Sequence, residues 1–187
     1  MAGHQQARIL GPGGGGDRPF GRFRYAPSAK WPGFWCFGLL QKKCCTRAGE
    51  PAKQPRAMEV LRLLWASRSG RVSTQVLQEY YVTATCKLRP GLPHADARAD
   101  VDALFAWQPT SPTLSTFQKA WEIQDRFQLS WWDSLVVASA MESGSRLLLT
   151  EDLQHGLIIG NLRVANPFHG DFQLNELVAK TRGKPRS

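Results

Sequence analysis

Asp133, Glu151 and Asp152 stand where a chain would set carboxylates to hold a divalent cation. They fall in one stretch, residues 130–156, SWWDSLVVASAMESGSRLLLTEDLQHG. Asp133 follows Ser130 by three residues, a short-acid form of the capping box, so it belongs in the first turn of a helix. Between 135 and 141 nearly every residue is apolar or small, which predicts a helix buried on most faces. Gly144 stops it as a left-handed C-terminal residue. Leu147, Leu148 and Leu149 then form the continuous apolar run of a strand covered on both sides in a parallel sheet. Thr150, Glu151 and Asp152 leave the carboxyl end of that strand, which is where open α/β sheets bind ligands. Acids set against so much apolar structure need a compensating partner, and a hard divalent cation supplies one.

The elements that must carry these residues begin near Pro51. The spacing of Ala57, Val60, Leu61, Leu64 and Trp65 predicts a helix over 51–67, stopped by Gly70. A short strand or turn follows at 71–74, with Ser73 or Thr74 as the next cap. A second helix over 75–88 presents Val76, Leu77, Tyr80, Tyr81, Ala84 and Leu88 on one stripe, with Glu79 on the opposite flank. Pro90, Gly91 and Pro93 break the chain. A third helix over 94–107 turns Val101, Leu104 and Phe105 inward, and 108–112 is a connector or edge strand. A fourth over 113–128 buries Phe117, Ala120, Trp121, Ile123 and Phe127. After the Ser130 helix and its strand, 163–165 makes a last strand, closed by Asn166-Pro167-Phe168. Helices alternating with short apolar strands predict a three-layer α/β/α fold on a short parallel sheet.

The first fifty residues have another texture. They hold ten of the 17 glycines and three of the four cysteines, and their tryptophans and phenylalanines follow no period. They read as an irregular leader outside the fold, disordered or non-native as a wrongly started or out-of-frame reading would be, with a basic nucleic-acid-binding arm as the alternative. The run Gly13–Gly16 lacks the Gly-Lys-Ser/Thr ending of a phosphate loop. Within the leader, FWCFGLL from Phe34 is the one run able to pair as a strand. The division expected is a leader over 1–50, a domain over 51–168 and a polar tail over 169–187.

Charge follows the same division. Residues 1–56 hold ten Lys and Arg against Asp17 and Glu50, a net of +8 of the total +9. The remainder, at +1, is not a strongly basic surface. No apolar run is long enough to span a bilayer, and no apolar signal segment is visible. Cys36, Cys44, Cys45 and Cys86 lack zinc-type spacing, so a reduced, cytoplasmic protein is expected.

Four segments, STQVLQEYY from residue 73, WWDSL from 131, LLTEDLQHG from 148 and NPF from 166, resemble PIN-domain proteins, in particular the VapC-type toxins of toxin–antitoxin pairs. The resemblance covers about residues 51–168, with the motifs in the family's order. It implies an endoribonuclease using Mg²⁺ or Mn²⁺, an RNA substrate, a cognate antitoxin and a homodimer. Carried over by motif, Glu79, Asp133 and Asp152 are the metal ligands, Thr150 orients a carboxylate or metal-bound water, and Glu151 lies one residue off. The family opens with a strand that ends in an aspartate. This chain has no acidic residue between Asp17 and Glu50, so residues 1–50 stand where that strand belongs.

Each residue also has a plainer use. Glu79 can be a solvated helix acid, Asp133 a cap, Asp152 a turn acid and His155 a turn residue beside Gly156. Trp131 and Trp132 can stack on bases or pack in the core. Glu122 and Asp125 read as solvent-facing. A degenerate relative that binds RNA or antitoxin without cutting is the alternative function, and a basic protein acting through residues 1–56 is a third.

Overall fold

The structure, a computed structural model, describes residues 53–87 and 91–173 and the backbone of Phe34–Cys36. The rest of the leader, including Asp17, the glycine run, Cys44 and Cys45, lies outside the described residues, as do Leu88 and the tail beyond 173.

Five strands form one sheet in the order β2-β1-β3-β5-β4: β1 (Phe34–Cys36), β2 (Gly70–Arg71), β3 (Leu147–Leu149), β4 (Ile158–Ile159) and β5 (Leu162–Ala165). β1 pairs in parallel with both β2 and β3, and β3 in parallel with β5. The apolar run at 34 therefore does pair, and three residues of a leader expected to be irregular form an interior strand between β2 and β3. The sheet is mixed rather than wholly parallel. Gly160, at φ 59°, lets the chain double back so that β4 runs antiparallel to β5. Two residues are too few to show a period, so β4 was not legible beforehand.

Among the described residues five α-helices cover the two faces: α1 (Lys53–Ser67), α2 (Thr74–Val82), α3 (His94–Leu104), α4 (Leu114–Phe127) and α5 (Trp131–Glu142). Alternation along β3 separates the layers. Leu147 and Leu149 join a core with Val60, Leu61 and Leu64 of α1, Leu77 and Tyr80 of α2, and Leu104. Leu148 points the other way, into a core with Ala120 and Ile123 of α4 and Leu135 to Ala138 of α5. All residues of α5 from Ser134 to Ala140 are buried, as its apolar run requires.

Several expectations need correction. Phe117 and Trp121 of α4 are exposed, as is Phe105, instead of turning inward. α4 buries a narrow stripe through Thr116, Ala120 and Ile123, which leaves the flanking rings outside. α2 ends at Val82 and passes into a π-helical turn, Thr83–Lys87, where the Thr85 hydroxyl donates to the Tyr81 carbonyl at 2.7 Å. α3 likewise tightens into a 3₁₀ turn at Phe105–Trp107. The connector at 108–112 contributes a single bridge, Thr110 to Ser73. The packed chain also runs past 168: Phe172 is buried in the α1 core.

Candidate functional site

The candidate acids sit on α2, on α5 and in the turn after β3. α2 begins directly after the carboxyl end of β2, with Ser73 as its cap, its hydroxyl accepting from the Val76 amide at 3.2 Å. Glu79 sits in the second turn, half-buried, and Gln75 Nε2 donates to its Oε1 at 2.9 Å. α5 is joined to the amino end of β3 by the turn at Gly144, φ 72°, so its own start lies toward the carboxyl end of that strand. Asp133 is in that first turn. Its amide donates to Ser130 Oγ at 3.1 Å, and Ser130 Oγ donates to Asp133 Oδ2 at 2.6 Å. The hydroxyl thus serves both halves of the expected cap.

Thr150, 1% exposed, follows β3. Its Oγ1 accepts the Asp152 amide at 3.1 Å and lies 3.3 Å from Asp152 Oδ2, to which it donates. That turn fixes Asp152 relative to the strand end. Glu151 faces differently: it is ion-paired with Lys53 Nζ at 2.6 Å, both side chains mostly buried. Lys53 opens α1 and was not singled out from the sequence. A lone lysine at a helix start carries no signal of its partner 98 residues away.

Asn166-Pro167-Phe168 holds that lysine in place. Asn166 Oδ1 accepts the Phe168 amide at 2.9 Å, and Arg56 donates to the Pro167 and Phe172 carbonyls. Lys53 Nζ lies 5.4 Å from the Phe168 ring centroid. His155 is a tying residue: its Nδ1 accepts the Asn166 amide at 3.1 Å and its ring stacks on His169, centroids 4.4 Å apart.

In kind, Glu79, Asp133 and Asp152 fit a hard divalent cation, since all offer carboxylate oxygen. In position, the described residues contain no group of three or more His, Cys, Asp or Glu side chains that could hold a metal ion. Glu79, Asp133 and Asp152 all lie among those residues, so the structure does not bring the three together as one metal-holding group. Cys36 pairs with Leu149, the residue before Thr150, and the chain continues from Cys36 as Phe-Gly-Leu-Leu-Gln, with no acid.

The PIN domain family model matches residues 51–156, more than half of the chain. The chain belongs to the PIN domain family. PIN domains are in general metal-dependent nucleases that act on RNA, and this chain has their α/β fold. No curated protein matches the chain. Among the described residues no helix is long and apolar enough to cross a membrane. A cavity of about 430 Å³ opens between α2 and α3, lined by Leu77, Tyr81, Val101 and Phe105 among others; none of the candidate site residues lines it.

Proposed function

We propose that this PIN-domain chain is a metal-dependent endoribonuclease of the VapC toxin type. In this reading Glu79, Asp133 and Asp152 hold Mg²⁺ or Mn²⁺, and Thr150 orients Asp152. The family match over residues 51–156 supports it, together with a donor set made only of carboxylate oxygens. When bound, the metal supplies an activated water and neutralises charge on the phosphate being cut. The chain's own part is to fix the donors: Ser130 holds Asp133, Gln75 holds Glu79, and Thr150 holds Asp152. A toxin of this type acts on RNA in the cytoplasm, is restrained by a cognate antitoxin and works as a homodimer. RNA cleavage with and without Mg²⁺ tests the assignment. Metal-dependent cleavage abolished by Asp133→Asn supports it, and cleavage indifferent to that substitution removes its basis.

One observation favours a second reading. The interior strand β1 is followed by Phe37 instead of an acid, and no carboxylate occurs from residue 18 to 49. A degenerate domain that binds RNA or an antitoxin without cutting would fit that sequence. RNA binding with no cleavage under any divalent cation would select it.

A further inference from the structure

The first turn of α1 carries charge of the wrong sign for a helix start. It holds Lys53 and Arg56 and no acid, although the amino end of a helix is its positive end and favours anions. Arg56 has a structural use: it donates to the Pro167 and Phe172 carbonyls and so anchors Phe172, 3% exposed, in the core. Lys53 is directed to the carboxyl end of β3. There Nζ meets Glu151 Oε2 at 2.6 Å and lies 5.4 Å from the Phe168 ring centroid.

A carboxylate and an aromatic ring face together make a place for a cation, and the chain fills it from its own sequence. Asn166 fixes the ring's position, its Oδ1 accepting the Phe168 amide at 2.9 Å. A pair so withdrawn from water gains little net stability, since desolvation offsets most of its attraction. What the pair does set is the charge at the strand end. Glu151 stands between Thr150 and Asp152, and Thr150 Oγ1 ties the Asp152 carboxylate into the same turn at 3.3 Å. An ammonium there neutralises Glu151 and repels a further cation approaching Asp152. Among the described residues no group of three or more His, Cys, Asp or Glu side chains could hold a metal ion; at this turn the chain's own amine stands in a cation's place.

We infer that the Lys53 ammonium is a built-in competitor for the divalent cation: paired with Glu151, it keeps the strand-end acids from taking up metal. This rests on the proposed metal-dependent reading and names the residue that limits it. The test is calorimetric titration of Mn²⁺ into the full chain and into Lys53→Met, which keeps an apolar stem and removes the charge. Lys53→Met is expected to bind Mn²⁺ more tightly by about ten-fold or more, Lys53→Arg to match the parent, and the double variant Lys53→Met with Glu151→Gln to lose the gain. Stability gives a second readout: Mn²⁺ is expected to raise the unfolding midpoint of Lys53→Met by more than that of the parent. If Lys53→Met is unfolded in EDTA, recovery of its helical circular dichroism on adding Mn²⁺ supports the inference, and no recovery overturns it. A parent and a Lys53→Met variant that bind Mn²⁺ equally, or a gain that persists with Glu151→Gln, overturn the inference and leave the metal-dependent reading standing. Binding by Lys53→Met alone supports the inference and tells against that reading for the parent chain. No binding in either overturns both.

Discussion

Asp133 combines two demands on one carboxylate. As a helix-start acid it is held by Ser130; as a proposed metal donor it must keep an oxygen free for the cation. The Ser130 hydroxyl serves amide and carboxylate together, so Ser130→Ala is predicted to destabilise the fold by about 0.5–2 kcal/mol, read by chemical denaturation, and to loosen Asp133. The pair Lys53–Glu151 is of another kind. At 29% and 16% side-chain exposure it is mostly withdrawn from water, so removing one partner strands a charge. Glu151→Gln is predicted to lower stability by about 1–3 kcal/mol, between the values for exposed and fully buried pairs. If Glu151 were instead a free metal donor, the substitution would leave stability nearly unchanged and weaken cation binding. The acids Asp133 and Asp152 were legible because each sits at a recognisable boundary, a cap and a strand end. Lys53 was not, since its role depends on a contact between the two ends of the domain.

At the scale of elements, periodicity carried furthest where burial is complete. The run at 147–149 and the small apolar residues of α5 leave little choice of structure. Amphipathic helices were less well read: Phe117, Trp121 and Phe105 are large and apolar, and their exposure reflects a narrow contact stripe that spacing alone does not disclose. β2 depends on close approach. A Cβ at Gly70 would lie 2.5 Å from the Trp107 ring, and Trp107 is buried and packed on Trp65 with centroids 5.1 Å apart. Gly70→Ala must therefore displace an indole held on both sides, at a predicted cost of about 1–3 kcal/mol, measurable as a lowered denaturation midpoint. The same substitution at Gly144 meets no atom within 4 Å but is strained by its φ of 72°.

Across the whole molecule, β1 is the strand on which the proposed activity depends. It is an interior strand, bonded to β2 and β3, yet its sequence comes from a leader whose composition predicts no order. The backbone position is filled while the acid expected after it is absent. Phe37→Asp is accordingly predicted to strengthen Mn²⁺ binding, and any metal-dependent RNA cleavage, relative to the parent chain. Equal binding in the two would mean that the carboxyl end of β1 does not contribute to the site. The family match, which begins at residue 51, agrees with the change of texture read there.

The account's central claim is that Glu79, Asp133 and Asp152 share one cation, and calorimetric titration of Mn²⁺ into the full chain tests it most directly. Saturable binding that is lost alike in Asp133→Asn, Asp152→Asn and Glu79→Gln is the predicted result. A titration showing only heats of dilution, or binding that survives all three substitutions, would contradict it.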